Sequence, residues 1–139
     1  MARKLATNPR ILCASPAYLR RRGTPRSIED IRSHDCIRLA PVGSWPVMVD
    51  GTVQRISVQG RIASSSVEGV RSACLQGLGI AMLTYWDVHR QLADGSLVEV
   101  ELMDAGMEPL AVWAVTPTRK QVPARVQALL EALESHLQR

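Results

Sequence analysis

The segment Ala63–Leu83, ASSSVEGVRSACLQGLGIAML, limits the folds open to this chain more than any other. Ser65 and Glu68 have the S-x-x-E spacing of a helix capping box, in which a hydroxyl and a carboxylate each satisfy an orphan amide of the first turn. Val67, Val70, Cys74 and Leu78 then recur at intervals of three and four, marking one face of a helix from about Ser66 to Gln76. Gly77 fits the left-handed position that closes such a helix, and Leu78 the apolar position beyond it. Gly79 to Leu83 has the length and composition of a strand buried on both faces. Upstream, Ile56, Val58, Gly60 and Ile62 alternate with polar residues as a half-buried strand does. A strand, a helix and a buried strand in this order point to a right-handed crossover that lays the helix on a parallel sheet.

The rest of the chain continues the alternation. Arg10–Ala14 (RILCA) reads as a buried strand, and Ser15-Pro16 as an N-cap with proline at the first helical position. A helix to about Arg22, closed by Gly23, follows. Ser27 begins a second short helix with an acidic first turn, and Cys36–Ala40 reads as a strand. Asp50-Gly51, flanked by Val47, Val49 and Val53, is a hairpin signal. Trp86–Asp94 is expected as a helix ended by Gly95, Leu97–Leu102 as a strand, Met103–Pro109 as a loop and Leu110–Thr116 as a further strand. Pro123–Leu137 closes the chain as an amphipathic helix carrying Val126, Leu129, Leu130, Leu133 and Leu137. The expected class is α/β, with a mainly parallel sheet plus one hairpin. Such sheets bind ligands at the carboxyl ends of their strands, where helix N-termini point.

Composition excludes several classes. The 139 residues suit about one domain, and 46% apolar with 22% charged residues does not describe a disordered chain. The apolar runs Ile80–Leu83 and Leu110–Val115 fall far short of the ~18 residues a membrane-spanning helix needs. No signal-peptide pattern opens the chain, so a soluble cytoplasmic protein is expected. Cys13, Cys36 and Cys74 match neither a disulfide framework nor a zinc site, which leaves buried reduced thiols. Residues 1–40 hold nine Lys/Arg against three Asp/Glu, while residues 41–139 hold eight against ten. That basic segment keeps a nucleic-acid-binding module open as an alternative. However, Arg20, Arg21 and Arg22 precede Gly23, where cations complement a helix C-terminus, and Phe is absent, leaving no aromatic stacking platform beyond Tyr18.

Three chemistries compete for the serine cluster. A nucleophile needs a neighbouring base and no GxSxG elbow surrounds these serines, while His34, His89 and His136 form no HExxH-like array; neither an enzyme nor a metal site is expected. A phosphate loop fails too, because GLGIA follows a helix instead of preceding one and has no lysine after it. What remains is the helix start. The orphan amides of its first turn and the hydroxyls of Ser64, Ser65 and Ser66 make a donor-rich surface suited to a carboxylate or other small anion. Ser65 is read chiefly as the cap, with Ser64 and Ser66 as the ligand contacts. Ser15 before Pro16 repeats the arrangement, and Thr84 is placed at the carboxyl end of the buried strand.

Taken together, RKLATNPRILCASPAYL, VQGRI, SSSVEGVRSACLQGLGIAML, ADGSLVEV and LAVWAVTPTRKQVPARVQALLEAL resemble the effector-binding domain of LysR-type transcriptional regulators over nearly the whole chain. The resemblance implies a fold like type-II periplasmic binding proteins, with a small effector held between two α/β subdomains. Residues 1–10 would be a remnant of the first subdomain, 11–108 the second, and 109–139 the return strand and C-terminal helix of the first. The family's second-subdomain ligand contacts map onto Ser64, Ser65 and Ser66 and more loosely onto Thr84.

It follows that the chain should correspond to roughly the C-terminal half of such a regulator, as a cloned fragment or a truncated reading frame, lacking the winged helix-turn-helix through which the family contacts DNA. No cofactor is implied. The expected partners are a small anionic effector and a second copy of the chain, joined through a sheet edge and the C-terminal helix. A truncated solute-binding protein, which shares the fold, is the other alternative.

Overall fold

The computed structural model describes residues 2–116 and 122–138; segment 117–121 of the last expected region lies outside the described residues. The chain divides into two units, Pro9–Glu108 and a smaller one made of Met1–Asn8 with Pro109–Arg139.

In chain order the elements are β1 (Ala2–Asn8), β2 (Arg10–Ala14), α1 (Pro16–Arg22), α2 (Ile28–Arg32), β3 (Cys36–Leu39), β4 (Ser44–Val49), β5 (Thr52–Ser57) and β6 (Ala63–Ser64). They continue with α3 (Val67–Leu75), β7 (Ile80–Thr84), α4 (Tyr85–Asp94), β8 (Val98–Val100), β9 (Gly106–Met107), β10 (Leu110–Val115) and α5 (Ala124–Leu137).

The larger unit is built on a five-stranded sheet in the order β6-β3-β7-β2-β8. Successive residues of its central strands enter opposite cores. Leu12, Ala14, Cys36 and Ile80 join Tyr18, Ile31, Trp45, Val47 and Ile56 on one face. Ile11, Cys13, Ile37 and Ala81 join Val70, Cys74 and Val88 on the other, beneath α3 and α4. Two-sided burial explains why RILCA and GIAML are apolar without alternation. β3 runs parallel to β6 and β7. β2, however, is antiparallel to β7 and β8, so the sheet is mixed, not mainly parallel. A run of buried residues reports two covered faces and carries no sign of strand direction. A separate sheet, β5-β4-β9, holds the hairpin. Its turn residues Asp50 and Gly51 have φ of 50° and 78°, the left-handed geometry that the DG pair supplies. The expected loop 103–109 contains β9 and is fastened to the start of α2, where the amide of Ile28 donates to the Asp104 carboxylate at 3.1 Å.

The helix closures follow their sequence signals. Gly77 has φ +77°, its amide donates to Cys74 O at 3.0 Å, and that of Leu78 reaches Ala73 O at 3.2 Å, the double closure of a left-handed C-terminus. The expected strand through Ile56, Val58, Gly60 and Ile62 is interrupted. β5 ends at Ser57, and the amides of Cys36, Arg38 and Ala40 take the carbonyls of Gln59, Ile62 and Ser64. One extra residue therefore sits between Gln59 and Ile62, and the regular ladder resumes only at β6. All three cysteines are buried free thiols. Burial pushes Cys36 up to about 12, and a hydrogen bond with Cys74 together with burial raises Cys13, so both stay protonated and unreactive near neutrality.

The smaller unit pairs β1 with β10 antiparallel, from Ala2↔Val115 to Asn8↔Leu110. Helix α5 packs on β1, with an Arg3–Glu134 ion pair and a hydrogen bond from Gln138 to Leu5 O. Of its apolar residues only Leu130 is buried, while Leu129 and Leu133 remain exposed. Within the larger unit, Arg10 donates to the carbonyl of Glu108 at 3.2 Å, holding the two ends of that unit together.

Glycine is required where backbones press together. A Cβ at Gly60 would lie 2.0 Å from Cys36 O, whereas one at Gly43 would meet nothing within 4 Å. Gly60→Ala should therefore lower unfolding free energy by about 1–3 kcal/mol, as overpacking against backbone does, and Gly43→Ala should change it by less than about 0.5 kcal/mol. Urea unfolding of both variants checks this, and equal effects would contradict it.

Candidate functional site

The start of α3 is built from the end of β6. Ser64 lies opposite Leu39 in the parallel ladder, so it emerges at the carboxyl end of β3. Ser66, not Ser65, is the N-cap: its Oγ accepts the Gly69 amide at 3.0 Å. The cap thus falls one residue later than the capping-box spacing implies. Ser64 occupies the preceding position, its Oγ accepting the Ser66 amide at 3.2 Å and lying 3.5 Å from the Ser66 hydroxyl. Ser65 is exposed, and no hydrogen bond ties its side chain among the described residues.

This arrangement depends on a glycine that the sequence reading passed over. A Cβ at Gly69 would stand 2.2 Å from Ser64 Oγ, so only glycine lets Ser64 fold over the helix start. The available signal was its position: glycine in the first turns of a helix costs about 1 kcal/mol against alanine and so needs a local reason. Arg71 was missed as well. It donates to Asp87 O at 3.0 Å and pairs with Glu68 at 3.2 Å, joining the first turn of α3 to that of α4. Its spacing of three from Glu68 was readable; its tie to α4 was not, because Asp87 is 16 residues away.

Thr84 ends β7 at the same edge of the sheet as Ser64, with β3 between them, about 10 Å away at two strand spacings. Its hydroxyl donates to Asp87 Oδ2 at 2.6 Å. It therefore presents lone pairs, and suits a ligand's hydroxyl or amide better than its carboxylate. Ser15 is not brought to this site. It is buried and caps α1 through the Tyr18 amide at 3.2 Å. It also lies beneath Gly77, ahead of β7, at the opposite end of the sheet from Thr84. Ser15 and Ser66 both cap helices, but β2 runs against β3 and β7, and this reversal sends Ser15 to the other end.

Near Ser64, Arg38 lies opposite Ala63 in the ladder and donates to Gly60 O at 3.3 Å, while its Nε is buried with no partner among the described residues. Those residues contain no group of three or more His, Cys, Asp or Glu placed to hold a metal, and no helix of theirs is long and apolar enough to cross a membrane.

The division of the serines is measurable. Ser66→Ala should cost about 1 kcal/mol of stability through loss of the cap, and Ser65→Ala should cost a few tenths at most. Chemical denaturation that found Ser65 the more costly would restore the capping-box assignment.

The family model of the LysR substrate binding domain matches residues 1–138. The transcriptional regulator DmlR of Escherichia coli K12 is 37% identical over 140 residues, covering 98% of this chain and 45% of the regulator. CrgA of Neisseria meningitidis is 32% identical over 127 residues, covering 89% and 42%. Among solved structures, full-length AphB of Vibrio cholerae superimposes with a TM-score of 0.81 at 30% identity, over 99% of this chain and 48% of that one. The CrgA regulatory domain gives 0.77 at 30% identity, over 99% and 68%. The chain thus spans a little under half the length of these curated relatives. These matches are to transcriptional regulators throughout, and the chain belongs to the LysR substrate-binding domain family.

Proposed function

We propose that this chain is the non-enzymatic, cytoplasmic sensing part of a LysR-type regulator and that it binds a small anionic metabolite at the start of α3. The observation that carries the reading is the way two hydroxyls are held. Ser66 Oγ accepts the Gly69 amide and Ser64 Oγ accepts the Ser66 amide, so each is polarised by an N–H; the two hydroxyls lie 3.5 Å apart, so one can donate to the other while the second keeps its proton to donate outward. An anion there would also meet the positive end of the α3 dipole. Ser65, exposed beside them, adds a third hydroxyl. Thr84 would receive a neutral donor of the same ligand, since Asp87 repels a second carboxylate from that side.

Binding would regulate by population shift, which requires different affinities for two conformations of the regulator. Arg71 offers a route for the difference, because it ties the ligand's helix to α4. The reading is tested by thermal shift with a panel of small mono- and dicarboxylates. A ligand at ten times its Kd should stabilise by about 1.4 kcal/mol, and Ser64→Ala or Ser66→Ala should weaken it about tenfold, the worth of one charge-assisted hydrogen bond. Stabilisation by no carboxylate, or stabilisation indifferent to both substitutions, would count against the site.

We also infer self-association through the smaller unit. Trp113 and Val115 on β10 and Leu129 and Leu133 on α5 are exposed, and neither outer edge of the β1–β10 pair is matched by another strand among the described residues. Sedimentation should show a mass that rises with concentration across the micromolar range; a monomer throughout would overturn this.

A further inference from the structure

The basic excess of the first forty residues has no role in the site above, and the structure gathers part of it elsewhere. An open pocket of about 420 Å³ is lined by Arg21, Arg22, Arg61, Asp35, Ile62 and Leu78, all in the larger unit. It lies where β3 and β7 begin, whereas Ser64 and Thr84 lie where they and β6 end, roughly 13 Å away along β7 at ~3.3 Å per residue.

Two of the three guanidiniums are fixed in place. Arg21 donates to Gly77 O at 2.8 Å and lies over the Tyr18 ring at 5.5 Å. Arg22 donates to Asp35 Oδ2 at 2.9 Å and to Ser33 O at 3.1 Å. Arg61 is exposed, on the bend before β6, with no hydrogen-bond or ion-pair partner among the described residues. Asp35 neutralises one of the three charges, leaving two. Each fixed arginine uses part of its five-donor fork on the protein and keeps the remaining N–H groups for a ligand. Leu78, 47% exposed, and Ile62 add an apolar wall.

We propose that this pocket is a second anion site that takes a dianionic phosphoryl group. Two uncompensated guanidiniums match a dianion, and their planar forks suit its oxygens better than point charges would. The ligand is either free phosphate or a phosphomonoester, whose organic part would cover Leu78. A phosphoryl group here leaves the α3 start untouched, so the two sites load independently unless the sheet couples them.

The test titrates ¹⁵N-labelled protein with inorganic phosphate and, separately, with glycerol phosphate, at ionic strength held constant with chloride. Saturable shifts of the Ile62, Gly77 and Leu78 amides are expected, with apparent affinity reduced about tenfold by Arg61→Ala and unchanged by Ser66→Ala. Arg61 is exposed, so its substitution should leave the rest of the spectrum in place. Tighter binding of glycerol phosphate assigns the site to an organic phosphomonoester; equal binding assigns it to the free dianion. The proposal is overturned if neither anion shifts these amides beyond chloride, if Arg61→Ala changes nothing, or if Ser66→Ala abolishes the effect, which would place the anion at α3.

Discussion

Burial of β2, β3 and β7 on both faces is the constraint on which the larger unit rests. Each pair of neighbours in these strands, Leu12 and Cys13, Cys36 and Ile37, Ile80 and Ala81, sends one side chain to each core. At roughly 25 cal/mol per Å² of apolar surface removed from water, this burial on both faces is a large stabilising term for the unit. A sheet covered on both sides can offer ligands only its ends. The α3 start and the arginine pocket lie at opposite ends, and what separates them is packed core. The same burial keeps the thiols silent, since Cys13 and Cys74 lie in one core and Cys36 in the other.

At the α3 end, the atoms that meet local backbone needs are the ones proposed to meet a ligand. The hydroxyls of Ser64 and Ser66 satisfy amides that would otherwise be orphaned, and in doing so become better donors. The structural role of these residues is thus compatible with the binding role proposed for them. Thr84 shows the contrary case: its proton is committed to Asp87, so its position at a strand end does not make it an anion contact.

Much of this was legible in the sequence because the signals are local. Gly23, Gly77 and Gly95 stop helices by left-handed or extended geometry that an L side chain resists, and Asp50-Gly51 turns a hairpin for the same reason. What the sequence did not disclose depends on distant partners. RILCA is as apolar in an antiparallel strand as in a parallel one, so the reversal of β2, and with it the exile of Ser15, was invisible. The break after Ser57 comes from Gly60 passing over the Cys36 carbonyl, a contact across 24 positions. The one-residue displacement of the cap consists in Ser66 Oγ taking the Gly69 amide, where a capping box at Ser65 would take that of Glu68. Leu129 and Leu133 are periodic in the manner of buried residues, yet periodicity does not say whether the covering partner is present in the same chain.

The hydrogen bond from Arg10 to the carbonyl of Glu108 bears on the order of folding. Joining Asn8 to Leu110 in a free chain closes a loop of about a hundred residues, at an entropic cost near 4 kcal/mol by the logarithmic law. Once Pro9–Glu108 has folded, its two ends are already side by side and that cost has been met. Pairing of β1 with β10 then becomes a local event, and the smaller unit is in effect a hairpin whose turn is an entire folded body. Its entropic cost of closure is therefore lower once the larger unit has folded.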